Sequence, residues 1–289
     1  MLVNMREILA VANERNFAIP AFNIGTGQML KAVIECSEEK KAPVILALHP
    51  KELEFQGDSF MASCISAANA ARVPVCVHMD HSNSIEQVLH AVRAGFTSVM
   101  IDASHLPFEE NVSISRKVVD LVHPLGISVE AELGTIGTTG NDKEGGAEEI
   151  IYTDPDDAVR FVEATGIDCL AIAIGTAHGI YPKGFKPELK LDLLSEIKKR
   201  VSIPLVLHGG SANSDEEIAE SVKRGINKIN ISSDTKDAFY QQLRKTLFAD
   251  TDVREPFELY IDSIKAMKKV INQKIDLFNA TNQVQYYKL

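Results

Sequence analysis

Short apolar runs alternate along the chain with longer stretches of helical period. The runs fall at Phe17–Asn23, Pro43–Leu48, Pro74–Asp80, Ser98–Asp102, Ser128–Leu133, Cys169–Gly175, Pro204–His208 and Lys228–Ile231, which predicts eight strands. They are continuously apolar rather than alternating, as expected of parallel strands covered on both faces. Between them, residues 27–41, 85–95, 111–126, 154–166 and 214–225 carry helical spacing. Two of these helices open on a capping side chain and close on glycine, Asp154 to Gly166 and Ser214 to Gly225. Eight such units in about 250 residues predict an α/β fold, a (β/α)8 TIM barrel forming one domain over residues 1–289. Extra helices are expected at about 4–15, covering the barrel bottom, and at about 257–278, able to dock on a neighbouring subunit. An open doubly wound sheet is the rival, but FAIPAFN is not followed by GxGxxG. Insertions at Gly134–Tyr152 and Gly179–Leu189, rich in glycine and turn formers, predict mobile loops on the catalytic face.

Charge narrows the function. Thirty basic against forty acidic residues give a net charge of −10 and a pI near 5.3. That argues against a nucleic-acid or anionic-membrane surface, while leaving room for a local phosphate pocket. The four cysteines, Cys36, Cys64, Cys76 and Cys169, form no CxxC pair and read as reduced thiols. No signal-peptide core opens the chain, and no run reaches the roughly 18 apolar residues a membrane span needs. A cytoplasmic protein is expected.

Chemistry gathers where the apolar runs end. Asn23, Asp80, His81, Asp102, Glu132, His178, His208 and Asn230 all sit at the C-terminal ends of predicted strands, the catalytic pole of a barrel. His81, His178 and His208 are distant in sequence and can converge only if their strands share one barrel. Three imidazoles with an open fourth position make a catalytic zinc site, and Asp80 sets a carboxylate beside the first. His78 points to the same side of its strand as Asp80, whereas His90, His105 and His123 read as ordinary surface residues. Gly209-Gly210-Ser211 follows the seventh strand and Asn230-Ile231-Ser232-Ser233 ends the eighth, the usual phosphate position of this fold.

The segments VHMDHS, IDASHLPFEENV, VEAELG, AIAIGTAHG, LVLHGGS and KINISSD, in this order and spacing, resemble the class II, zinc-dependent ketose-bisphosphate aldolases. The branch is that of the tagatose-bisphosphate and bacillus-type fructose-bisphosphate enzymes. The resemblance implies Asp80 as catalytic acid/base and His81, His178 and His208 as ligands of one Zn2+. Asp102 and Glu132 match positions that hold an alternative metal site or orient the ligands. Asn23 matches a substrate-contacting asparagine. Gly179, Gly209, Gly210, Ser211, Asn230, Ile231, Ser232 and Ser233 would hold dihydroxyacetone phosphate, with a monovalent cation (Na+ or K+) nearby. The implied reaction is reversible cleavage of a ketose 1-phosphate or 1,6-bisphosphate to dihydroxyacetone phosphate and an aldehyde, through a metal-stabilised enediolate. A homodimer or homotetramer is implied.

The chain departs from the family at three places. The loop after strand five reads TTGNDKEGG, so the family's acidic pair is replaced, leaving Asp142 or Glu144 as the second catalytic acid. The second strand ends in Ala47-Leu48-His49, where relatives carry small or hydroxyl residues. The position of the arginine that binds the far phosphate falls near Ile261, beside Asp262, with Arg254 the nearest arginine. An aldehyde other than a phosphorylated one is therefore expected, since an Arg–phosphate pair is a strong specificity element. A barrel metallohydrolase is the first alternative, but its HxH pair is missing from FAIPAFN. A non-catalytic sugar-phosphate-binding partner subunit is the second, yet such a subunit would be expected to lose ligands that are all present here.

Overall fold

The computed structural model describes residues 1–138, 150–178, 188–211 and 213–288, with the side chains of Thr138 and His178 excepted. Eight parallel strands close on themselves: β1 (Ile19–Asn23), β2 (Val44–Leu48), β3 (Val75–Ser82), β4 (Ser98–Ile101), β5 (Ser128–Leu133), β6 (Cys169–Ile172), β7 (Leu205–Leu207) and β8 (Ile226–Ile231). Each pairs with its neighbours in chain order, and β8 returns to pair with β1 through Lys228↔Ile19 to Ile231↔Phe22. Every residue of these strands is buried, which is why the runs read as continuously apolar. Helices alternate with the strands, as in a (β/α)8 barrel.

Most strand ends shift by one or two residues from the expected ones, and three of the differences bear on the site. β3 runs past Asp80 to Ser82 because one extra residue is accommodated as a bulge: Met79 pairs with Val99, but Ser82 pairs with Ile101. β6 stops at Ile172, short of Gly175, whose φ of +116° leaves the strand region. β8 begins at Ile226, two residues early, so Lys228 lies inside the strand and inside the barrel.

The two ends of the barrel are closed differently. The helix Met5–Arg15, opened by an Asn4/Glu7 capping box, buries Met5, Ile8, Leu9 and Ala12. Its backbone meets the starts of two strands, Arg6 N donating to Ser128 Oγ and Asn227 Nδ2 to Ala12 O, so it covers the bottom. The helix Pro256–Leu277 packs on Ser233–Ala249 and Gly27–Lys40 through Met267, Ile271 and Ile275. Phe248 and Phe257 of this helical pair are exposed at 86% and 70%. Most of both predicted loops falls on residues 139–149 and 179–187, so Asp142, Glu144 and Gly179 lie outside the described residues. Among the described residues, no helix is long and apolar enough to cross a membrane.

Candidate active site

The bulge in β3 organises the site. Strict alternation would send Asp80 inward and His81 outward. His81 instead adopts φ +52°, a left-handed conformation that L side chains rarely take, and both residues face the same centre. Asp80, fully buried, accepts from Asn23 Nδ2 at 2.8 Å and from Asn230 Nδ2 at 3.0 Å. β1, β3 and β8 thus meet on one carboxylate, and the amide oxygens of both asparagines have no partner among the described residues.

His81 and His208 meet edge to face, with ring centroids 4.7 Å apart and His81 Nε2 3.0 Å from His208 Nδ1. Their outer nitrogens are each committed to a carboxylate. His81 Nδ1 donates to Asp102 Oδ2 at 3.1 Å, and Asp102 Oδ1 is held by the Ser104 hydroxyl at 2.8 Å. His208 Nε2 lies 2.8 Å from Glu130 Oε1; an ionised carboxylate only accepts, so the imidazole donates. Glu132 Oε2 is buried without a hydrogen-bond partner among the described residues, 3.8 Å from His208 Nδ1.

The charges are mutually set. Burial alone would raise the Asp80 carboxyl, but His81, Lys228 and His208 outweigh it and hold it well below the carboxylate range. Burial would lower His81, yet the Asp80 charge and the bond to Asp102 push it up to about 10. His208 is lowered, mainly by burial. Glu132 is raised, by burial first and then by the neighbouring Asp102 charge. His81 therefore holds its second ring proton firmly, and that proton lies between two imidazole nitrogens, in the place a cation would take.

The donor set fits a divalent metal. Ligand atoms of Asp80, His81 and His208 lie within 4.8 Å of one another, as do those of His81, Asp102 and Glu132. Imidazole nitrogens backed by carboxylates are the arrangement that metal-ligating histidines adopt. The backbone of His178 pairs with Thr138 in a short parallel ladder beside β6; its side chain is outside the described residues.

The expected phosphate loops are neighbours in space. An added Cβ at Gly210 would lie 2.5 Å from Ile229 Cγ2, and Gly209 has φ +67°, so the loop after β7 rests directly on β8. Ser211 belongs to that loop, Ile231 is a core residue offering only its backbone, and Ser233 opens a 17-residue helix after Ser232. Both ends of the buried Asn213 amide lack partners among the described residues.

The family model for class-II fructose-bisphosphate aldolase matches residues 3–283. The chain belongs to that family. It is an aldolase, a carbon–carbon lyase. It is 40% identical over 286 residues to a probable fructose-bisphosphate aldolase of Bacillus subtilis (strain 168), covering 98% of this chain and 99% of the relative. The crystal structure of the YdjI aldolase from Escherichia coli K12 superposes with TM-score 0.85 at 36% identity, over 98% of this chain and all of the other. That of a putative fructose-1,6-biphosphate aldolase from Coccidioides immitis gives TM-score 0.86 at 29% identity, over 96% and 97%.

Sequence reasoning passed over two residues of this aldolase's interior, Glu130 and Lys228. Both are fully buried, and Lys228 Nζ lies 3.0 and 2.7 Å from the two Glu130 oxygens. A signal existed: Glu130 stands two residues before Glu132, and Lys228 two before Asn230, so each shares a strand face with a site residue.

Proposed function

We propose that this aldolase reversibly cleaves a ketose 1-phosphate to dihydroxyacetone phosphate and an unphosphorylated aldehyde, using zinc held by His81, His178 and His208. The observation that carries the reading is the 3.0 Å approach of His81 Nε2 and His208 Nδ1 beside the buried Asp80 carboxylate. Bound there, zinc would supply Lewis-acid polarisation of the ketose carbonyl. Asp102 and Glu130 hold the two imidazoles in the tautomers that leave lone pairs facing inward. Glu132 offers the additional oxygen ligand.

Asp80 takes the C4 hydroxyl proton as the C3–C4 bond breaks, and its electron pair moves toward the C2 carbonyl oxygen. Asn23 and Asn230 steer the carboxylate by holding one oxygen each. In the reverse direction Asp80 returns the proton. Asp142 or Glu144 protonates C3. Gly209, Gly210, Ser211, Ser232 and Ser233, with the N-terminus of the helix Ser233–Ala249, receive the phosphate, with Gly179 and a monovalent cation beside it.

Support for a different aldehyde comes from two positions, 261 and 49. Position 261 is isoleucine rather than arginine, and it is followed by Asp262, which pairs with Lys265 at 3.0 Å. His49 caps the helix Pro50–Gln56, accepting from Lys51 N at 3.1 Å through Nδ1. Burial lowers it to about 4, so it stays neutral beside Asp80. We place the enzyme in the cytoplasm as a homodimer or homotetramer.

Metal analysis combined with a coupled assay for dihydroxyacetone phosphate tests the reading. One zinc per chain is expected, with ketose 1-phosphates cleaved faster than fructose or tagatose bisphosphate. Asp80→Asn should keep its zinc and lose roughly 10²- to 10⁴-fold in kcat. A metal-free chain with full activity would sink the mechanism, and a strong bisphosphate preference would sink the substrate.

A further inference from the structure

An ion pair sits below the site, in the dry interior of the barrel. Lys228 Nζ spans both oxygens of Glu130 at 3.0 and 2.7 Å, and neither side chain reaches solvent. Cys169 Sγ donates to Oε2 at 3.5 Å, and His208 Nε2 donates to Oε1 at 2.8 Å. Such a pair is a poor stability device, because well-packed apolar residues often replace a buried ion pair at no cost. Its position suggests another use. A neutral imidazole carries one proton, and the nitrogen that donates decides which nitrogen keeps its lone pair. Glu130 takes the Nε2 proton of His208, which leaves the Nδ1 lone pair directed at the point shared with His81 Nε2, 3.0 Å away. Lys228 approaches the carboxylate from the opposite strand and fixes where Oε1 points. The same face of β8 carries Asn230, whose amide holds Asp80.

We infer that Lys228 and Glu130 are positioning residues: the ammonium clamps the carboxylate, and the carboxylate holds His208 as its Nε2–H tautomer with Nδ1 turned to the metal. This rests on the reading that His81 and His208 bind zinc. Neither residue touches substrate. Glu130 acts through His208, and Lys228 acts through Glu130.

The test uses the full chain. Lys228→Met alone leaves a buried carboxylate unpaired and risks unfolding, so the decisive variant is Glu130→Met/Lys228→Met, which removes both charges at similar volume. A second double variant, Glu130→Gln/Lys228→Met, restores a neutral acceptor for His208. Circular dichroism and a cooperative thermal melt establish that each is folded. Zinc affinity is measured by competition with a chromogenic chelator. The tautomer of His208 is read from long-range nitrogen–proton NMR of the metal-free proteins at pH 8. Wild type should show Nε2–H alone. The Met/Met variant should bind zinc about 10- to 100-fold more weakly. The Gln/Met variant should recover most of that loss. Unchanged zinc affinity in Met/Met overturns the inference alone. Wild type failing to bind zinc overturns the metal reading as well, which separates the two failures.

Discussion

His78 shows how one buried side chain imposes a pH dependence on the whole. It is fully buried, with Nδ1 2.9 Å from Ser98 Oγ and Nε2 lacking a hydrogen-bond partner among the described residues. Burial, then the Lys228 charge, lowers it to about 3. Below pH 6.5 the unfolded chain takes up a proton that the folded chain refuses, so stability falls as the pH falls. Between pH 6.5 and 4.5, His78 should cost about 2 kcal/mol. Urea unfolding of the zinc-free protein checks this, with His78→Asn expected to be less pH-sensitive by that amount. Identical slopes for the two proteins would refute the assignment.

At the scale of elements, the loop after β7 depends on β8 lying close beneath it. Gly210→Ala places a methyl 2.5 Å from Ile229 Cγ2, so the loop must lift. One lost phosphate hydrogen bond corresponds to about a ten-fold rise in KM. Steady-state kinetics should show that rise with little change in kcat, and an unaltered KM would remove the loop from phosphate binding. The strands themselves were legible because burial on both faces writes an unbroken apolar run, as in VILAL of β2. Their ends were less so. Nothing in VHMDHS announces that His81 takes a positive φ, since the bulge is a property of the β3–β4 pairing rather than of either strand. The strand-end rule singled out Asp80, His81 and His208, which the fold brings together, but passed over Glu130 and Lys228 because they lie a layer deeper on the same faces. Charged residues inside an apolar run read as interruptions until their partner across the barrel is known.

For the molecule as a whole, the site draws on β1, β3, β5, β7 and β8 together. An ion at its centre would tie these strands to one another and bind the folded state alone. At a hundred-fold excess over Kd, that linkage is worth about 2.7 kcal/mol, or roughly 5–10 °C in Tm. Exhaustive chelation should lower Tm by that amount and added zinc should restore it, whereas magnesium, which prefers oxygen ligands, should not. Scanning calorimetry decides it; a Tm indifferent to zinc would show that no ion bridges these strands.

The bulge at His81 has one more consequence. Asp80 and His81 are successive residues, so the proposed proton acceptor and the proposed ligand are separated by a single peptide unit of fixed length. Substitutions elsewhere around the site, as at His49, can reshape what it admits without altering that spacing. Selectivity is thereby free to drift among sugars while the bond-breaking step stays in tune.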